Sequence, residues 1–147
     1  MWGLHAAIHT LATFHRSQRR MQERVNLAIA AALETKAEDV LLFDLENRSP
    51  LTDYVLVCSG RSQAHVRGIA ENIEKALREA GIRCQSLEGL QEGSWVLMDY
   101  DVVFVHIFHP ETRAYYNLES LLKGNPMEAF EDAPPEPPQV DVQSPRA

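Results

Sequence analysis

The sequence predicts a single α/β domain, of the α+β type, in which helices flank a mixed β-sheet. Apolar residues recur at helical spacing in two long segments, and short apolar runs typical of strands lie between and after them. The predicted elements follow the order helix, strand, strand, helix, strand, hairpin, helix. A chain of 147 residues is long enough for one such domain with a substantial core.

The helices are indicated by apolar residues three and four positions apart. The first spans residues 21–36, with the stripe Val25, Ala28, Ile29, Ala32 and Leu33. The second carries the stripe Val66, Ile69, Ala70, Ile73, Ala76 and Leu77. Ser62 is its predicted N-cap, because the hydroxyl can accept a hydrogen bond from a free amide of the first turn. Gly81 is expected to end it in a left-handed conformation, and a last helix is predicted over 113–122.

Single strands are predicted at 40–45, 54–58 and 82–87. The second is an unbroken apolar run, as expected of a central strand covered on both faces. Cys58 and Cys84 fall in these apolar runs, so we expect both to be buried and reduced in a cytoplasmic protein. Two cysteines cannot provide a four-ligand zinc site by themselves.

Residues 95–108 predict a β-hairpin with two different faces. Placing Tyr100 and Asp101 in a two-residue turn pairs Trp95 with His106. Because side chains alternate along a strand, one face is aliphatic and belongs to the core, with Tyr100 at its rim: Val96, Met98, Val103, Val105 and Ile107. The other face mixes aromatic, acidic and imidazole side chains: Trp95, Leu97, Asp99, Val102, Phe104, His106 and Phe108.

The mixed face has two interpretations that periodicity alone leaves open. Tryptophan is over-represented among residues that dominate protein–protein binding, where single anchors contribute about 2 kcal/mol or more. The face would then be a docking surface. Alternatively, the last helix covers the face, and Asp99 and His106 are hydrogen-bonded beneath that helix.

The formal charge of −7 is unevenly distributed. Residues 1–20 carry +3 and no acid, residues 21–123 carry −6, and residues 124–147 carry −4. An acidic body repels nucleic-acid phosphates, which favours a basic protein as partner over direct nucleic-acid binding. No apolar run approaches the roughly 20 residues that span a membrane.

Both ends of the chain are expected to lie outside the domain of residues 21–123. Residues 1–20 have the style of an organelle transit peptide or of an extension upstream of a start at Met21, and we favour the extension, disordered or mis-started. Residues 124–147 are rich in proline and acid, so we expect a disordered tail.

Several short segments, in a fixed order from about Val25 to Leu122, resemble one known family. They are Asp53-Tyr54-Val55-Leu56-Val57-Cys58-Ser59-Gly60 with Ser62, Glu88-Gly89, Gly93, Trp95-Val96-Leu97-Met98-Asp99-Tyr100, Val105-His106-Ile107-Phe108, Arg113, Tyr115-Tyr116 and Leu118-Glu119. Their order and spacing make the chain similar to the ribosomal silencing factors, also called Iojap-like proteins. The sequence departs from the common pattern at Asp101, Val102 and Leu122, where many members have Gly, Asp and Trp.

The resemblance implies a fold similar to that of nucleotidyltransferases and a role without enzymatic activity. It implies binding to the large ribosomal subunit through the subunit protein numbered fourteen, at the intersubunit face. A factor docked there would block the small subunit sterically and reduce translation when nutrients are scarce. The resemblance also implies a possible homodimer.

The mixed face and the resemblance together predict the partner-binding residues. They are Trp95, Leu97, Asp99, His106 and Phe108, with Glu88, Arg113 and Tyr115 as weaker candidates. We expect no cofactor and no bound metal.

The alternative function is a nucleotidyltransferase-like enzyme that uses magnesium. The Ser59-Gly60-Arg61-Ser62 turn resembles a phosphate-binding turn, but Ala64, His65 and Val66 stand where its paired acids are expected. Asp99 and Asp101 straddle the predicted turn, which favours turn chemistry for that pair. A histidine metal site is disfavoured as well, since His106 and His109 would point to opposite faces of a strand. His65 is expected to be solvated.

Overall fold

A computed structural model describes residues 3–46 and 48–131. In this part of the chain the elements are α1 (Gly3–Glu34), β1 (Glu38–Asp44), β2 (Tyr54–Ser59), α2 (Gln63–Glu79), β3 (Ser86–Glu88), β4 (Trp95–Asp99), β5 (Val103–Phe108), α3 (Pro110–Tyr116), α4 (Leu118–Leu121) and β6 (Met127–Phe130). The strands form one sheet in the order β3-β4-β5-β2-β1-β6. Only β2 and β5 pair in parallel, which confirms the predicted mixed sheet flanked by helices.

The main core lies between the sheet and the two long helices. The apolar stripes of α1 and α2 are buried there against the strand side chains Val96, Met98, Val105 and Ile107. Tyr100 was predicted at the rim of this face, but it is fully buried. The turn after β4 directs its ring into the core, and Arg24 of α1 donates a hydrogen bond to its carbonyl oxygen at 2.9 Å.

A second, smaller apolar cluster lies on the opposite face of the sheet. It contains Phe43, Leu45, Val55, Val57 and Phe108, with Leu118 and Leu122 packed against it. Because β2 contributes to both clusters, the predicted central strand with two covered faces is confirmed. Burial raises the pKa of the Cys58 thiol to about 12, against a smaller opposing effect of Arg113.

The hairpin register differs from the prediction by two residues. Trp95 stands opposite Phe108 and Leu97 opposite His106. The turn is displaced along the chain, since the amide of Tyr100 donates to the carbonyl of Val103 at 3.0 Å and leaves Asp101 and Val102 between them. A shift of two preserves the face of every strand residue, so the two predicted faces are confirmed. Val102 is the exception, because it lies outside both strands and packs against the main core.

The predicted ends of α2 are confirmed, but the solvated His65 is not. Ser62 accepts a hydrogen bond from the amide of His65 at 3.0 Å, and Gly81 adopts φ +80°. The imidazole of His65 accepts from the amide of Arg61 through Nδ1 at 2.9 Å and lies 2.6 Å from the carbonyl oxygen of Thr35 through Nε2. His65 therefore connects the start of α2 with the end of α1.

Regular secondary structure extends across both predicted domain boundaries. α1 is one continuous helix from Gly3, because residues 4–34 contain neither Gly nor Pro to interrupt it. Within the predicted tail, Met127–Phe130 forms β6 on the free edge of β1. A composition argument misses this strand because ladder hydrogen bonds stabilise it with little apolar burial. Residues 1–2, 47 and 132–147, and the side chains at 3–11, 14, 15 and 17, lie outside what the structure describes.

Two further elements are displaced from their predicted positions. The third strand is limited to Ser86–Glu88, so Cys84 lies before it and is only half-buried. The last helix is two short helices, because Asn117 adopts a left-handed conformation with φ +46° between them. No helix in the described part of the chain is both long and apolar enough to cross a bilayer.

Candidate partner-binding surface

The outer face is the side of β3, β4 and β5 that points away from α1 and α2. The strand register arranges its side chains in rows across the sheet: Trp95 with Phe108, Glu88 with Leu97 and His106, and Ser86 with Asp99 and Phe104. Alternation along the strands thus places six of the eight predicted partner-binding residues on one surface.

Trp95 is held in place by three ring contacts and one hydrogen bond. Its indole stacks on Phe108 with the ring centroids 4.9 Å apart, and its Nε1 donates to His106 Nδ1 at 3.1 Å. Tyr116 of α3 packs against it at 4.8 Å. The tryptophan is nevertheless only half-buried. A large, pre-ordered aromatic side chain at the surface loses little conformational entropy on binding, which suits an anchor.

His106 supports Trp95 from beneath as a neutral ring. Burial lowers its pKa to about 4, so the imidazole is uncharged at neutral pH. Its Nδ1 can accept the indole hydrogen bond only when that nitrogen carries no proton. Phe108 is fully buried, and His106 is 9% exposed. Both residues therefore shape the surface from below, and the buried Phe108 supports the indole of Trp95.

Leu97, Glu88 and Asp99 extend the surface towards the sheet edge. Leu97 is half-buried and stands between Glu88 and His106, while Glu88 is exposed on the edge strand. The carboxylate of Asp99 accepts a hydrogen bond from the amide of Asp101 at 2.8 Å. This contact confirms turn chemistry for the Asp99 and Asp101 pair.

Arg113 attaches α3 to the sheet. Its guanidinium pairs with Glu119 and donates to the hydroxyl of Ser59 at 2.8 Å and to the carbonyl oxygen of Asp39 at 2.9 Å. The side chain is only 12% exposed. Its charge therefore points inward, and the residue positions the helix that presents the tyrosines.

A groove opens between β4 and α3, next to the outer face. We name it the tyrosine groove; it is lined by Glu92, Ser94, Trp95, Glu111, Thr112, Tyr115 and Tyr116 and encloses about 500 Å³. Tyr115 and Tyr116 meet edge to face, with centroids 5.0 Å apart. Both remain exposed, Tyr115 by 82% and Tyr116 by 53%.

The sequence identified Trp95 and Tyr115 as partner-binding residues but missed the other five residues of this groove. Tyr116 was included only in the resemblance, although it contacts Trp95 directly. Glu92 and Glu111 belong to a loop and to a helix start that no strand pattern connects with the hairpin. The covering helix of the alternative interpretation is present in part, since Tyr116 packs on one edge of Trp95 while Leu97 and Asp99 are only half-buried. In the described residues, no cluster of three or more His, Cys, Asp or Glu side chains has metal-binding geometry.

Comparison with known proteins agrees with this arrangement. Residues 18–147 match the family model described as ribosomal silencing factor during starvation. The chain is 42% identical over 100 residues to ribosomal silencing factor RsfS of Halalkalibacterium halodurans, covering 68% of this chain and 86% of that protein. It is also 42% identical over 103 residues to RsfS of Bacillus subtilis, covering 70% and 87%.

A solved structure shares the fold as well as the sequence. The crystal structure of a protein from Chromobacterium violaceum superposes with a TM-score of 0.69 at 32% identity, covering 80% of this chain and 97% of that one. The family match spans most of the chain and includes β3, β4, β5 and α3. The chain therefore belongs to the ribosomal silencing factor family.

Proposed function

We propose that this protein binds the large ribosomal subunit, through the subunit protein numbered fourteen, and blocks joining of the small subunit by occupying the intersubunit face. The observation that carries the proposal is the half-buried Trp95, held by His106, Phe108 and Tyr116 on a surface that the chain leaves partly open. Pre-ordered aromatic residues at the centre of a surface are typical binding hot spots. Family membership supports the ribosome as target.

The charges around Trp95 favour a basic partner. Glu92 and Glu111 line the groove beside it, Glu88 and Asp99 lie further along the same face, and the body of the protein is acidic. Complementary charge accelerates encounter and selects the partner, while buried aromatic contacts lengthen the lifetime of the complex. An acidic surface is poorly suited to rRNA phosphates, so a basic ribosomal protein is the better match.

The proposed role requires occupancy of a surface and no catalytic step. Steric exclusion depends on the position and the affinity of the bound factor. The protein would act in the cytoplasm and lower the number of assembled ribosomes when nutrients are limiting. A homodimer stays a prediction that analytical ultracentrifugation of the purified protein tests.

Cosedimentation with purified large subunits tests the docking surface. Trp95→Ala is expected to abolish binding, and Leu97→Ala to weaken it about tenfold or more, as expected of residues near a hot spot. Leu51→Ala is the matched control, because Leu51 is 73% exposed on the β1–β2 connection. Circular dichroism and thermal unfolding establish that each variant is folded. Normal binding by both outer-face variants would show that the surface is wrongly assigned.

Two assays test the partner and the consequence. In a subunit-joining assay, the wild type is expected to reduce formation of joined ribosomes in proportion to its occupancy of large subunits, and Trp95→Ala to have no effect. Pull-down with isolated protein fourteen is expected to retain the wild type and to lose Trp95→Ala. Capture by bare rRNA with no capture by protein fourteen would contradict the proposed partner.

A further inference from the structure

The tyrosine groove has the shape of a site for a flat, charged side chain. Trp95 and Tyr116 lie 4.8 Å apart with their planes inclined at 47°, and Tyr115 meets Tyr116 at 86°. The rings thus form an angled wall with exposed faces. The volume of the groove, about 500 Å³, is large enough to hold one long side chain together with its hydrating water.

The charges that line the groove are all negative. Glu92 and Glu111 are both exposed at its border, and the described lining residues include no Lys or Arg. Arg113 belongs to the same helix as Glu111 but is committed to Glu119, Ser59 and the carbonyl of Asp39. Arg61 and Arg67 line the neighbouring groove on the other side of Glu111. Arg61 pairs with Glu38, and Arg67 donates to the carbonyl oxygen of Gln91. The described lining of the tyrosine groove itself therefore supplies aromatic faces and carboxylates but no cation.

We propose that the tyrosine groove binds an arginine side chain of the basic protein partner. A guanidinium can lie flat on the face of an aromatic ring and bind a carboxylate through two parallel hydrogen bonds. The groove offers both contacts within one cavity, through its aromatic rings and its two glutamates. Lysine would gain less, because its compact ammonium is strongly hydrated and does not stack. The inference rests on the proposed function and identifies which partner residue type the surface selects.

The groove is tested without ribosomes by titrating the protein with arginine amide. Citrulline amide is the matched neutral ligand, since it differs mainly in lacking the guanidinium charge. The indole N–H resonance of Trp95 in a two-dimensional NMR spectrum reports binding, and Trp2→Phe identifies which of the two indole signals it is. We expect arginine amide to bind about two- to fivefold more tightly than citrulline amide, with lysine amide between them.

Variants of the lining residues separate the two kinds of contact. Glu92→Gln with Glu111→Gln should bring the two amides within twofold of each other and remove the salt dependence of binding. Tyr116→Leu should weaken arginine amide about threefold, whereas Tyr116→Phe retains the ring and should bind as the wild type does. Equal affinity for both amides in the wild type, or no effect of the glutamate changes, would overturn the inference.

Cosedimentation distinguishes failure of this inference from failure of the proposed function. The double glutamate variant is expected to bind large subunits at least threefold more weakly than the wild type. If the amides are not discriminated while Trp95→Ala still abolishes subunit binding, the groove is wrongly assigned and the docking surface stands. If the amides are discriminated but the wild type does not bind large subunits, the groove recognises arginine in another partner and the proposed function is wrong.

Discussion

The two faces of the β4–β5 hairpin are built by the same residues in alternation, yet they differ in what covers them. On the inner face, Val96, Met98, Val105 and Ile107 are each 0% exposed beneath α1 and α2. On the outer face, Trp95, Leu97 and Phe104 are half-buried, and the short α3 covers one edge. One strand pair thus supplies both a sealed core and a partly open surface.

The comparison shows that polar contacts appear where coverage is incomplete. The inner face consists of aliphatic side chains that need no hydrogen-bond partner. On the outer face the indole of Trp95 requires an acceptor, and His106 provides it at 3.1 Å. Burial beneath a partner would leave this pair satisfied, so desolvation of the pair costs little.

The largest expected effect is a difference in unfolding free energy between a variant of the inner face and a variant of the outer face. Ile107→Ala removes methyl groups from the sealed core and is expected to lower the free energy of unfolding by about 2–5 kcal/mol. Leu97→Ala, on the half-exposed face of the facing strand, is expected to cost about 1 kcal/mol or less. Urea denaturation of the two variants measures both changes. An equal loss would mean that the outer face belongs to the core, which would end its interpretation as a docking surface.

A pH-dependent effect follows from the buried imidazole of the outer face. The pKa of His106 is about 4 in the folded protein, against about 6.5 for an unperturbed histidine. Between pH 4 and pH 6.5, the imidazole is therefore protonated in the unfolded chain but not in the folded chain. Stability from this residue is complete above pH 6.5 and is lost as the pH falls towards 4, by roughly 3 kcal/mol.

The His106 effect is isolated by comparison with His106→Gln, whose amide oxygen can also accept from Trp95. Between pH 6.5 and 4, the variant should lose less unfolding free energy than the wild type. The difference removes contributions from the other five histidines and from the carboxylates. NMR titration of the His106 ring gives its pKa directly, and a midpoint near 6.5 would contradict the buried, neutral ring.

The smallest expected change in unfolding free energy concerns the turn that joins β4 and β5. Asp101 adopts φ +71°, a conformation that glycine takes without strain. Asp101→Gly is expected to change the unfolding free energy by less than about 1 kcal/mol, since relief of strain is offset by the greater freedom of the unfolded chain. Thermal unfolding measures the change. Loss of several kcal/mol would show that the Asp101 side chain stabilises the hairpin in a way that its exposed position does not indicate.

The sequence predicted the two hairpin faces because alternation depends only on local geometry. Trp95, Leu97, Asp99 and His106 share one face whichever even register the strands adopt. The register itself could not be predicted, since it depends on how the loop from Tyr100 to Val103 closes. Burial of Phe108 and the inward charge of Arg113 were equally inaccessible, because both depend on residues distant in the chain.

Local patterns by themselves determined the fold class, the C-terminal part of α1, α2 with its caps and the composition of the outer face. Hydrophobic periodicity and capping act within a few residues, so they can be recognised without coordinates. Tertiary structure alone decided that β6 pairs with β1, that His65 connects two helices and that Glu92, Glu111 and Tyr116 meet at Trp95. These contacts join residues far apart in sequence, and they form only when the packed sheet brings their elements together.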